Sequence, residues 1–200
     1  MAVLVQKQAP DFTCAAVGPD GAIIDSFRFH AALEGKYGLL VFYPLDFTFV
    51  CPTELIALDH RVAEFTSKGV EVLTVSIDSQ FTHSAWRNTP VDQGGIGPVK
   101  FTMLADIRHE ICQAYDVQTA DGVALRAAFI IDKSGIVRAQ LVNDLPLGRN
   151  IDELIRLVDA LQFSEEHGEV CPAGWNKGDA GMTATADGVA SYLKSNAESL

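Results

Sequence analysis

Tyr37-Gly-Leu-Leu-Val-Phe-Tyr43 is an unbroken apolar, β-favouring run, and it reads as a buried strand. It leads into Pro44-Leu-Asp-Phe-Thr-Phe-Val50, a turn rich in aromatics, and then into Cys51-Pro-Thr-Glu54. From Cys51 onward Leu55, Leu58, Val62 and Phe65 recur at spacings of three, four and three. That spacing is one apolar face of a helix, ended near Gly69. A strand therefore hands over to a helix through a turn, and a cysteine stands at the junction.

The chain continues in the same alternation. Val70 to Ile77 is a second strand, Phe81 to Asn88 a helical piece, and Thr89 to Val99, with Pro90, Gly94, Gly95, Gly97 and Pro98, a loop. Phe101 to Leu104 reads as a short strand and Ile107 to Tyr115 as a helix. Arg126 to Asp132 and Ile136 to Val142, joined by Lys133-Ser-Gly135, form a β-hairpin. Asn150 with Glu153 marks a helix start, and Ile151, Leu154, Ile155, Val158 and Leu161 line one face up to Phe163. Beyond Phe163 the composition turns to Gly, Thr and polar residues until a last helix, Asp187 to Asn196. We read residues 1–163 as the folded domain and 164–200 as a C-terminal arm, and expect an α/β sandwich around a mixed sheet.

Composition narrows the function classes. Of 200 residues 48% are hydrophobic and 20% charged, enough apolar side chain for a sizeable core. The net charge of −11 disfavours nucleic acid and acidic membranes as partners. The start, MAVLVQKQAPDF, does not read as a signal peptide, and no apolar run reaches the ~18 residues of a membrane span; the expected location is the cytoplasm. The four cysteines, Cys14, Cys51, Cys112 and Cys171, include no CxxC pair, which disfavours a zinc knuckle or a thioredoxin-type disulfide reductase. The five histidines have no metal-ligand spacing and read as surface or structural.

The chemistry lies at the strand–helix junction. Pro52 suits a first helical turn, so Cys51 sits in or beside that turn, where free amides and the helix dipole favour an anion. A free cysteine has a pKa of ~8.5, such a setting lowers it, and thiolate is the nucleophile. Thr48, three residues earlier, is near enough to share a pocket, and Arg126, at the start of a strand, is a candidate guanidinium. A hydroxyl and a guanidinium aimed at two oxygens would stabilise O–O cleavage. Taken singly, Cys51 reads as an inert buried thiol, Arg126 as a solvated strand-end charge and Arg149 as half of a weak surface pair. Cys14 and Cys112, beside apolar neighbours, read as packing.

Pro44-Leu-Asp-Phe-Thr48-Phe-Val-Cys51-Pro-Thr-Glu54 resembles the PxxxTxxC active site of peroxiredoxins. Val170-Cys171-Pro172, with Cys171 lying 120 residues after Cys51, resembles the resolving-cysteine segment of the typical two-cysteine class. The likeness extends through AAFIID (127–132), VNDLPLGRN (142–150) and GEVCPAGW (168–175), and is nearest to the bacterial alkyl-hydroperoxide-reductase C and thioredoxin-peroxidase group. It implies a thioredoxin-like fold and a homodimer, often assembled as a decamer. It implies Cys51 as peroxidatic residue, Pro44 as its shield, Thr48 as a peroxide ligand, Arg126 as the family arginine, Glu54 and Arg149 as a supporting ion-pair network, and Cys171 as the resolving residue of the partner subunit. The implied cycle reduces hydrogen peroxide or an organic hydroperoxide, passes through sulfenic acid and a Cys51–Cys171 disulfide, and is closed by a dithiol reductant, thioredoxin or a dedicated flavoprotein. It needs no metal, flavin or haem on this chain.

Gly94-Gly95-Ile-Gly97 resembles the GGLG loop of oxidation-sensitive members, and Tyr192-Leu193 stands where those carry Tyr-Phe on a terminal helix packed over the active site. Leu193 lacks the ring and part of its buried area, so intermediate sensitivity to overoxidation is expected. The competing function is a holdase chaperone or a peroxide-sensing relay; chaperone binding would persist without Cys51, and a relay would pass its disulfide to a target protein.

Overall fold

The apolar run at 37–43 forms β3 (Tyr37–Phe42), buried at all six positions. A strand buried on both faces needs neighbours on both edges. It has β4 (Val70–Ser76) parallel on one side and β6 (Arg126–Ile131) antiparallel on the other, with Leu40 opposite Leu73 and Phe129. With β1 (Thr13–Val17), β2 (Ile23–Arg28), β5 (Thr102–Ala105) and β7 (Val137–Asn143) these make one seven-stranded mixed sheet, ordered β2-β1-β5-β4-β3-β6-β7. The computed structural model describes residues 2–200, the side chain of Ser199 excepted. The chain divides into two compact units, Met1–Ile151 and Asp152–Leu200.

In the first unit the helices are α1 (Phe29–Ala32), α2 (Cys51–Ser67), α3 (Gln80–Asn88) and α4 (Glu110–Ala114). The apolar stripe expected on α2 is buried: Leu55, Leu58, Val62 and Phe65. The core under the sheet is aromatic, with Phe42, Tyr115 and Phe129 in mutual ring contact and Phe12 stacked on Phe29 at 4.5 Å. Aromatic pairs of this kind add to the burial energy of each ring.

Three elements differ from the sequence reading. The strand β2 shows no apolar alternation because it is a largely exposed edge. The helix expected over 107–115 shrinks to α4. His109 lies at φ +62, which breaks the right-handed path, and the Asp106 carboxylate accepts the Ile111 and Cys112 N–H groups at 3.0 and 2.7 Å in its place. The domain boundary drawn after Phe163 falls inside α5 (Ile151–His167). Ser164 to His167 are polar because they form a mostly exposed last turn, and the helix stops at Gly168, φ +67, the left-handed position that suits glycine.

The second unit holds α5 and α6 (Ala186–Asn196), joined by a segment closed by an isolated bridge between Val170 and Met182. Thr185 caps α6 by accepting the Gly188 N–H at 3.1 Å. Trp175 is buried and packs on Phe163 of α5, ring centroids 4.8 Å apart.

Candidate active site

Cys51 is the first residue of α2, and Pro52 follows in the first turn. The N-cap, Val50, offers no side-chain cap bond, so the helix starts without the side-chain oxygen that usually satisfies its free amides. The sulfur belongs to a residue with no exposed surface. Arg126 Nη1, from the first residue of β6, donates to Cys51 Sγ at 3.4 Å and to Glu54 Oε2 at 2.8 Å, while its Nε donates to the Leu145 carbonyl at 2.6 Å. Among the described residues no protein acceptor meets Arg126 Nη2.

Behind Arg126 stands a second arginine. Arg149 donates from its backbone N–H and Nε to Glu54 Oε1 at 2.7 and 2.8 Å, and from Nη2 to Glu54 Oε2 at 3.0 Å. Its Nη1 reaches the carbonyls of Phe42 and Ala127 at 2.8 and 2.6 Å, tying the site to β3 and β6. Glu54, Arg126 and Arg149 are each at most 7% exposed. The solvated or surface roles that Arg126 and Arg149 suggest singly are thus corrected: one carboxylate, bonded on both oxygens, compensates two buried cations. Burial alone would push the Glu54 carboxyl up, but the Arg149 bonds and charge, with Arg126, hold it below the ordinary glutamate range.

The turn between β3 and α2 supplies the remaining residues. Pro44 is buried, and Thr48 is half-buried with its Oγ1 donating to the Leu45 carbonyl at 2.9 Å. That leaves the Thr48 oxygen lone pairs as acceptors. The turn is held from below by a group the sequence reading did not single out. Asp46 accepts from the Tyr43 hydroxyl at 2.7 Å and pairs with His83 Nδ1 at 2.8 Å, and His83 Nε2 meets the Leu104 carbonyl at 3.1 Å. Burial pushes the Asp46 carboxyl up, against the lowering by His83. A lone His83 carries no sequence signal for this, since its partners lie 37 and 21 residues away. Gly148, equally unmarked, permits close approach: a Cβ there would meet Val50 Cγ1 at 3.3 Å.

The other expected residues fall elsewhere. Gly94, Gly95 and Gly97 lie in the loop after α3, where Gly94 O accepts from Trp86 Nε1 at 2.9 Å. Cys171, Tyr192 and Leu193 belong to the second unit. Cys171 is half-buried and its thiol donates to the Ala160 carbonyl at 3.4 Å; partial burial pushes the thiol up, against the Arg156 charge. Burial pushes the Cys14 thiol up to about 12 and the Cys112 thiol higher still, which suits packing and not nucleophilic chemistry.

The AhpC/TSA family model matches residues 5–140, and that of the C-terminal domain of 1-Cys peroxiredoxin matches 160–195. Alkyl hydroperoxide reductase C of Helicobacter pylori is 56% identical over 97% of this chain and 98% of its own. Peroxiredoxin-2 of Mus musculus is 50% identical over 94% of each. The reduced 2-Cys peroxiredoxin of Plasmodium vivax superposes with a TM-score of 0.93 at 47% identity, covering 96% of this chain and all of that one. The mixed sheet and its helices are the thioredoxin-like fold of these neighbours. A thiol held under a guanidinium at a helix start, in a chain matched nearly end to end by such relatives, belongs to the AhpC/TSA family of peroxiredoxins, which are thiol-dependent peroxidases.

Proposed function

We propose that Cys51 is the peroxidatic residue and Cys171 the resolving one, and that the cycle runs through a disulfide between two subunits. The carrying observation is the Arg126 Nη1–Cys51 Sγ contact at 3.4 Å inside the Glu54–Arg149 network. Cys51 thiolate attacks one peroxide oxygen; the S–O bond forms as the O–O bond breaks, sulfur loses two electrons, and the leaving oxygen takes a proton. Thr48 Oγ1 accepts the hydrogen of the attacked oxygen, and Arg126 donates to the oxygens as charge grows there. Cys171 thiol then condenses with the sulfenic acid, forming the S–S bond and releasing water. Because Cys51 is fully buried, the first turn of α2 must open for a second sulfur to reach it, and the missing side-chain cap at Val50 makes that opening less costly.

A dithiol, thioredoxin or a dedicated flavoprotein, reopens the disulfide. The reading calls for a reducing compartment, the cytoplasm, and for a homodimer that assembles further, a decamer being the expected ring. Hydrogen peroxide and small organic hydroperoxides are the substrates. Overoxidation sensitivity should be intermediate, read as sulfinic acid by mass spectrometry during a peroxide titration. Resistance equal to that of a variant lacking residues 187–200 would remove that last expectation.

The test is to mix reduced protein with peroxide and run a non-reducing gel. A covalent dimer that needs both Cys51 and Cys171 supports the cycle. A disulfide within one chain defeats the intersubunit part, and reductant-linked peroxide turnover in Cys51→Ser defeats the whole.

A further inference from the structure

Arg126 has two fixed anchors besides the sulfur: Glu54, and the Leu145 carbonyl at 2.6 Å from Nε. A carbonyl orients a guanidinium only as firmly as its own peptide is held. Leu145 lies in the turn that follows β7, and that turn is closed by local bonds. Leu145 N–H donates to Asp144 Oδ1 at 2.7 Å, Leu147 N–H donates to the Asp144 carbonyl at 3.1 Å, and Asn143 Nδ2 donates to the Leu147 carbonyl at 3.1 Å. Asn143 also pairs with Arg126 in the β6–β7 register, so the turn pivots opposite the arginine it serves. At its far end the same segment delivers the Arg149 N–H to Glu54.

We infer that Asn143 and Asp144 are positioning residues for Arg126, shaping the 143–147 turn so that the Leu145 carbonyl fixes the guanidinium over Cys51. This rests on the reading of Arg126 as the group that serves the peroxide step. Asn143 is half-buried and Asp144 exposed, and neither contacts Cys51, so their effect on chemistry passes through the backbone. Misplacing a charged donor by a fraction of an ångström weakens an oriented transition state far more than it weakens the fold.

The experiment is single-turnover oxidation of the reduced protein by hydrogen peroxide, with melting temperature measured alongside. Asn143→Leu, which keeps the shape and loses the donor, and Asp144→Ala should each slow the step by about tenfold. Asp144→Asn, whose amide oxygen accepts the same N–H, should stay within about twofold of the parent. In an Arg126→Met background Asp144→Ala should add no further loss, as expected of groups acting as one unit. Asp144→Asn as slow as Asp144→Ala, or full additivity with Arg126→Met, would overturn the inference. So would parental rates in Asn143→Leu and Asp144→Ala while Arg126→Met is slow. A parental rate in Arg126→Met itself would instead defeat the reading on which it rests. Asp144→Ala keeps the test open should Asn143→Leu fail to fold.

Discussion

At the scale of single residues, Glu54 organises the site. Among the described residues it is the carboxylate bonded to both Arg126, through Nη1, and Arg149, through three donors. Glu54→Gln keeps the shape but leaves two cations without a counter-charge, and breaking such a buried pair costs about 3–5 kcal/mol. The expected outcome is a clearly lower melting temperature at pH 7 together with a slower peroxide step, read by calorimetry and stopped flow. Thr48 should behave differently, because among the described residues its hydroxyl bonds the Leu45 carbonyl alone, and its further partner is the peroxide oxygen proposed above. Thr48→Val should melt nearly as the parent but lose about a hundredfold in peroxide rate, and Thr48→Ser should recover most of it. A Thr48→Val variant that keeps its rate would remove the hydroxyl from the mechanism.

At the scale of elements, the loop after α3 and the start of α6 differ in what holds them. The loop after α3 is packed so that a Cβ on Gly95 would collide with the backbone of Thr89. Trp86 is fully buried, touches the Phe47 ring at 5.8 Å and donates to the carbonyl of Gly94. Gly95→Ala must therefore displace the loop, and the Trp86 emission maximum should shift to the red while far-UV dichroism stays unchanged. Helix α6 shows the opposite arrangement: unlike α2 it has a side-chain cap, Thr185. Thr185→Ala should cost about 1 kcal/mol of that helix and speed limited proteolysis within 186–196. Cleavage at the parental rate would show that the cap does not govern the fraying of α6.

At the scale of the whole molecule, the depressed carboxyls set the acid limit. Burial opposes ionisation at both Glu54 and Asp132. The arginine bonds at Glu54, and at Asp132 the Ile136 and Ser134 N–H groups with Arg138, outweigh it, and both carboxyls lie below their ordinary range. A group whose pKa is lowered by folding stabilises the native state above its unfolded value, ~4, and loses that contribution as pH falls through the folded value. The contribution of these two carboxyls to the melting temperature should be complete above about pH 5 and lost below about pH 4, with the raised Asp46 carboxyl acting in the opposite sense. The gap between the parent and Glu54→Gln should close over the same range. A gap that stays constant from pH 7 to pH 3 would mean that the ionised carboxylate is not what stabilises the parent.

The chain by itself determined whatever depends on near neighbours in sequence. The central strand, the turn, the α2 stripe and the place of Cys51 at a helix start follow from periodicity and from Pro52, because each is a contact within a few residues. The PxxxTxxC spacing and the separate Val170-Cys171-Pro172 segment were enough to point to the family. Only the tertiary structure decided the charges. Composition and periodicity around Arg126 and Arg149 do not mark them as buried, and apart from the family resemblance nothing links them to their shared counter-ion, Glu54, 72 and 95 residues away. The same holds for Asp46 with His83 and for the Leu145 carbonyl under Arg126. A backbone acceptor has no side-chain identity to read, and the cost of burying a charge is met by whichever groups the fold brings to it, not by those beside it in the chain.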